Sequence, residues 1–151
     1  MDKRTLVVTT NRRHMLGVTL LELMTVVLVI GVLSAIALPS YRQYVMRAQR
    51  TEAKSALLQV VANQERFYLS NRTYGTVANL QAANLLSATG RSERGLYQIT
   101  VVGANATGYT ATATPVAGAV VDMTADAQCT SFSITAQGVR TATGTTAATC
   151  W

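Results

Sequence analysis

The stretch GVTLLELMTVVLVIG, Gly17 to Gly31, opens an apolar run that continues to Leu38. Between Val18 and Leu38 there are 21 residues, and Glu22 is the only charged one. As a helix rising about 1.5 Å per residue, the run is roughly 31 Å long, the hydrocarbon thickness of a bilayer. An ionised acid at that depth costs roughly 2.5–3.5 kcal/mol on insertion scales, so Glu22 demands a functional explanation.

Upstream of the run, residues 1–17 are basic, with Lys3, Arg4, Arg12 and Arg13 against Asp2. This segment carries half of the chain's formal net charge of +6, so the basic character of the whole is weak evidence for nucleic-acid binding. Three readings of the N-terminus compete. A secretory signal would be cleaved after the apolar core, and Ala35 and Ala37 supply small residues for it. An uncleaved anchor is the second. Cleavage before the run, leaving it on the mature protein, is the third. Secretory cores span roughly 7–15 residues, shorter than this run and without an acid. Arg42, Arg47, Arg50 and Lys54 follow the run, so flanking charge does not orient it.

Downstream, Cys129 and Cys150 are the only cysteines. Two cysteines behind a membrane-directing N-terminus point to one disulfide in an oxidising compartment. If they pair, the C-terminal part faces that compartment and the N-terminus faces the cytoplasm.

The residues Gly17-Val18-Thr19-Leu20-Leu21-Glu22 resemble the prepilin-peptidase site of type IV pilins and related pseudopilins. That pattern is a basic leader ending in Gly, then an apolar residue, Thr, two aliphatics and Glu. Val18 stands where the family usually has Phe. The resemblance continues through Gly31, Pro39, YRQYVMRAQRTEAKSALLQV, QERFYLSNRTYG and the C-terminal Cys-Trp, and it is strongest to PilE-like minor pilins. It implies cleavage between Gly17 and Val18 by prepilin peptidase, N-methylation of Val18, and an assembly role for Thr19 and Glu22. Glu22 would face the N-terminal amine of a neighbouring subunit, where charge pairing offsets the desolvation of both groups.

Beyond the run, Val45, Ala48, Ala53, Ala56, Leu57, Val60, Val61 and Phe67 recur mostly at three- and four-residue steps, an amphipathic helix stripe. The opposite face carries Arg50, Lys54, Gln59, Asn63 and Arg66. One helix is expected from Val18 to Leu69, with a kink around Gly31 and Pro39, since proline lacks an amide hydrogen and clashes with the carbonyl of Ala35. The resemblance implies that this segment loses helicity in an assembled filament.

A short helical piece is expected near Val77–Leu86, then strands in LYQITVV, GYTATATP and CTSFSITAQGVRTA, and a short fourth strand near Val139–Thr141. The fold class is α+β, a long kinked helix packed on a small antiparallel sheet. Residues 1–17 form a leader, 18–45 the membrane and assembly half of the helix, and 46–151 a globular head.

Nothing in the chain makes a case for an enzyme or a cofactor. His14 is the only histidine and lies in the leader. Asp122 and Asp126 stand four apart but offer too few oxygens for calcium, which takes 6–8, so no metal is expected. The competing functions are that of a type II secretion pseudopilin, a sibling class that the resemblance also touches, and DNA binding, because some minor pilins that this chain resembles are DNA receptors in natural transformation. Arg91 and Arg94 in GRSERG, with Arg140, are the candidate phosphate contacts. Glu93 between the first two argues against them. The favoured expectation is a structural minor pilin, single-pass in the bacterial inner membrane with its head in the periplasm, then exported in the filament. Its partners would be other pilin subunits, and its roles pilus assembly, twitching motility, adhesion or DNA uptake.

Overall fold

The computed structural model describes residues 18–151. The expected leader, with Gly17 and His14, lies outside the described residues. Helix α1 spans Leu20–Asn71, 52 residues, and the chain falls into two units that part between Ser40 and Tyr41.

In the first unit the helix is built from Leu, Val, Ile, Met and Ala. It begins at Leu20 because the Thr19 side chain accepts a hydrogen bond from the Glu22 amide at 3.2 Å, satisfying one of the free N–H groups of the first turn. The helix is assigned without a break through Gly31 and Pro39. This is the one helix among the described residues long and apolar enough to cross a membrane, and its most apolar 18-residue window is 0% buried.

The second unit is the head. Its part of α1 buries Ala53, Ala56, Leu57 and Val60, the centre of the expected stripe. Ala48 is exposed, and Val45, Val61 and Phe67 are only partly buried. The expected polar face needs correction. Arg50 is buried, because it precedes Ala53 by three and Leu57 by seven and so lies on the apolar stripe itself. Asn63 is half-buried and donates to the Leu85 carbonyl. The helix ends after Asn71, where Arg72 takes a left-handed φ of 57°.

Helix α2 spans Val77–Ala82, capped by Thr76 and Asn79. It stops short of Leu86 because Asn84 turns left-handed at φ 55°. Four strands follow: β1 (Tyr97–Val102), β2 (Thr110–Pro115), β3 (Ser131–Thr135) and β4 (Arg140–Thr143). They form one antiparallel sheet in the order β1-β2-β3-β4. Residues 116–130 are irregular apart from a single 3-10 turn, Met123–Ala125.

Alternation divides the sheet's two faces. Tyr97, Ile99, Ala111, Ala113, Phe132 and Ile134 are buried with Leu57 and Val60 of α1. The other face is nearly all hydroxyl, with Thr100, Thr112, Ser133 and Thr141 in adjacent register. The architecture is the expected α+β fold, and β4 begins one residue later and ends two later than the expected fourth strand.

Candidate assembly and nucleic-acid surfaces

The N-terminal candidates come first. Val18 is 71% exposed and Leu20 77% exposed. Thr19, given an assembly role by resemblance, has a visible local one as the cap of α1. Thr19 and Glu22 stand in the S/T-x-x-E spacing of a capping box, a signal that sequence reading passed over. Glu22 lies in the first turn, where the helix dipole favours a negative charge.

Two ionic clamps, two residues apart on α1, hold the loops of the head, the first buried and the second with its arginine at the surface. Arg50 Nε donates to Asp126 Oδ2 at 2.7 Å and its Nη2 to Asp126 Oδ1 at 2.8 Å, with a third bond from Nη2 to Gln128 Oε1 at 2.9 Å. Asp126 Oδ1 also accepts from the amides of Gln128 and Cys129. Every oxygen of this buried carboxylate is therefore occupied, which removes Asp126 from any calcium cage. Asp122 instead caps the 3-10 turn through Thr124. Among the described residues no group of three or more His, Cys, Asp or Glu side chains is placed to hold a metal.

The second clamp centres on Glu52. Its Oε1 accepts from the Ser92 hydroxyl at 2.5 Å and the Arg94 amide at 3.0 Å, and its Oε2 from Arg94 Nε at 2.8 Å. Arg94 Nη2 also reaches Gln49 Oε1. Burial by itself would raise the Glu52 carboxyl, but these hydrogen bonds and the Arg94 charge outweigh it, and the group titrates below its ordinary range.

Cys129 and Cys150 are joined in a disulfide and both are buried. The bond brings Trp151 onto the sheet. Its indole Nε1 donates to the Thr141 carbonyl at 2.6 Å, its ring meets Phe132 edge-on at 6.0 Å, and Arg140 stacks over it at 5.5 Å from the centroid. Gly144 makes the closure possible. With φ at 133°, a side chain there would be strained and would run into the backbone of Gln128 and Cys129.

The three candidate DNA contacts are not brought together. Arg91 forms a bridge beyond β1 with Gln98, whereas Arg140 lies on β4, the opposite edge. Four strand spacings, about 19 Å, separate those backbones across the sheet. Arg94 is tied to Glu52. Among the described residues, Arg91 and Arg140 are in neither of the ion pairs, Arg50–Asp126 and Arg94–Glu52.

Known proteins place this fold. The family described as "Type IV minor pilin ComP, DNA uptake sequence receptor" matches residues 39–133, most of the head including Arg91 and Arg94. The type IV major pilin protein PilA of Myxococcus xanthus is 40% identical over 63 residues, 42% of this chain and 29% of that protein. The fimbrial protein EcpC of Eikenella corrodens is 60% identical over 37 residues, 24% of each chain. The type IV major pilin protein PilE1 of Neisseria gonorrhoeae is 38% identical over 69 residues, 41% of this chain and 42% of that protein. The matches thus span less than half the length of these relatives. With the family match covering well over half of the chain, and with the long apolar helix and four-stranded sheet, the chain belongs to the type IV pilins, within the family of the minor pilin ComP.

Proposed function

We propose that this chain is a non-enzymatic minor pilin, anchored in the inner membrane by the helix half 18–45 and inserted into a type IV pilus through the same helix. One observation carries the reading. A helical stretch from Leu20 to Leu38 leaves its apolar side chains exposed in the isolated subunit, while carrying a single carboxylate at its start. Burying that surface against lipid, then against other subunits, supplies the hydrophobic driving force for both states. Prepilin peptidase would cut between Gly17 and Val18, the new Val18 amine would be methylated, and Glu22 would pair with the amine of a neighbour. Gly31 and Pro39 bracket the part of the helix that yields on assembly, since glycine and proline lower helix propensity there.

The test is the mature N-terminus together with a Glu22 variant. Mass spectrometry of filament protein is expected to begin at Val18 with one added methyl. Glu22→Ala is expected to remain in the membrane fraction, because removal of the acid eases insertion, and to be depleted from sheared pili. A mature start at Leu38, or normal incorporation of the variant, overturns the reading.

A second reading, DNA capture by the head, is favoured by the family match over residues 39–133, since that family is described as a DNA uptake sequence receptor. Arg91 and Arg140, both exposed and outside the ion pairs, are the residues best placed to meet phosphates. Salt-dependent binding of duplex DNA by the full chain tests it.

A further inference from the structure

Asparagine followed two residues later by threonine, with no proline between, occurs twice, at Asn71-Arg72-Thr73 and at Asn105-Ala106-Thr107. On an exported protein that spacing is the acceptor pattern for N-linked glycosylation, and it acts from a surface loop. The two copies are neighbours in the head, where the Tyr74 amide donates to the Asn105 carbonyl at 3.1 Å. The fold presents them differently.

Asn71 is the last residue of α1. Its Nδ2 donates to the Phe67 carbonyl at 2.9 Å, so the acceptor nitrogen is spent in the last helical turn. The Thr73 hydroxyl is directed to the Tyr74 carbonyl, not to Asn71. Asn105 stands instead in the turn between β1 and β2, and Asn105, Ala106 and Thr107 are all exposed. Asn105 Oδ1 accepts from the Thr107 amide at 2.7 Å, the Thr107 hydroxyl at 2.7 Å and the Gly108 amide at 3.1 Å. Backbone amides alone close a turn of this kind, so the hydroxyl is an addition to it. Three donors on Oδ1 draw electron density from the carboxamide and make its N–H protons more acidic. Nδ2 gives one proton to the Gly103 carbonyl at 3.0 Å, and its second has no partner among the described residues.

We infer that Asn105, and not Asn71, is an N-linked glycosylation site whose sugar donor is an oligosaccharide carried on a polyprenyl diphosphate. The inference rests on the anchoring proposed above, with the head on the periplasmic side, and the Cys129–Cys150 disulfide suits that oxidising compartment. In the transfer, Asn105 Nδ2 loses a proton to a base of the transferase and attacks the anomeric carbon of the first sugar. A C–N bond forms, the anomeric C–O bond breaks, and polyprenyl diphosphate leaves.

The experiment uses the full chain purified in detergent from its own cells, reduced, and cut after Lys and Arg. Asn71 then lies in the peptide Phe67–Arg72, and Asn105 in Gly95–Arg140, where it is the only asparagine. The second peptide is rich in threonine, so mild alkaline β-elimination, which strips O-linked sugar alone, precedes mass spectrometry with electron-transfer fragmentation. An alkali-stable sugar mass on Asn105 is expected, with Asn71 bare. Asn105→Gln is expected to lose that mass, and Asn71→Gln to keep it. Thr107→Val retains the amide that closes the turn and nearly the same side-chain shape, and is expected to lose the mass, whereas Thr107→Ser is expected to keep it. Sugar on Asn71 or on threonine in place of Asn105, or sugar that persists in Thr107→Val, overturns the inference. Maleimide labelling of the unreduced chain separates the two layers. Two free thiols overturn the periplasmic reading and this inference with it, whereas a disulfide-bonded chain with a bare Asn105 overturns this inference alone.

Discussion

Arg50 and Asp126 face each other across 76 residues of sequence in a two-pronged bond, 2.7 and 2.8 Å, inside the head. The arginine comes from the long helix and the aspartate from the loop that leads into Cys129. Because Asp126 also accepts the Cys129 amide, the pair fixes one arm of the disulfide to the helix. Removing the arginine strands a buried carboxylate. Arg50→Ala is therefore expected to cost about 3–5 kcal/mol. The double variant Arg50→Met with Asp126→Asn, which leaves no charge and keeps an acceptor for the amides, is expected to cost markedly less. Denaturant unfolding of the full chain in detergent, followed by far-UV circular dichroism, measures both. Equal losses would show that the stranded charge is not the cause.

The elements of the fold were legible in the sequence because each has a local period. The stripe Ala53, Ala56, Leu57, Val60 has the spacing of a helix, and the alternation in Tyr97–Val102 and Thr110–Pro115 has that of strands. The clamps were not legible, because their partners lie 76 and 42 residues apart and no local pattern pairs them. One signal was available. Arg50 occupies an apolar position of the helix stripe, and a charge there is either buried with a partner or out of place. The same blindness made Arg94 look like a free loop arginine, when Glu52 holds it.

The Glu52 clamp gives a pH dependence with a definite sign. The folded-state carboxyl titrates below its ordinary value of 4.5, despite burial that acts the other way. A lowered carboxyl contributes stability that is present above the unfolded value and is lost as pH falls through the folded one. The stability difference between wild type and Glu52→Gln is thus expected to be constant at neutral pH and to shrink as pH falls below 4.5. Chemical unfolding of both proteins from pH 7 down to about pH 3 follows it. A difference that grows on acidification would reverse the assignment.

Reduction of Cys129–Cys150 opens a loop with a sequence separation of 21. In the chain-entropy model that closure is worth about 3 kcal/mol. Trp151 is the only tryptophan and follows Cys150 directly, so its fluorescence reports the event. Its ring now sits between Phe132 and Arg140. Reduction is expected to shift its emission to longer wavelength before the head unfolds. A spectrum unchanged on reduction would mean that the Thr141 and Phe132 contacts hold Trp151 without the bond.

The separation of Arg91 from Arg140, and the capture of Arg94 by Glu52, sharpen the test of DNA binding. Each phosphate contact contributes about −0.9 to the slope of log affinity against log salt on duplex DNA. If the head captures DNA, Arg91→Ala and Arg140→Ala are each expected to weaken binding and to flatten that slope by about one unit. Arg94→Ala is expected to leave the slope nearly unchanged, because its guanidinium is already engaged by a carboxylate. Its effect is expected in stability instead, since Glu52 loses one of its donors while buried. Arg140 carries a second signature. It stacks on Trp151, so bound DNA that draws the guanidinium toward a phosphate is expected to change the tryptophan emission, and Arg140→Ala to abolish that change. Titration of the full chain with duplex DNA at several salt concentrations reads affinity, slope and emission together. Because Arg91 and Arg140 lie about 19 Å apart across the sheet, a short duplex that reaches only one of them is expected to respond to one substitution and not the other. A longer duplex responding to both would place the DNA across the sheet, and a slope that no arginine substitution moves would return the chain to a purely structural role in the filament.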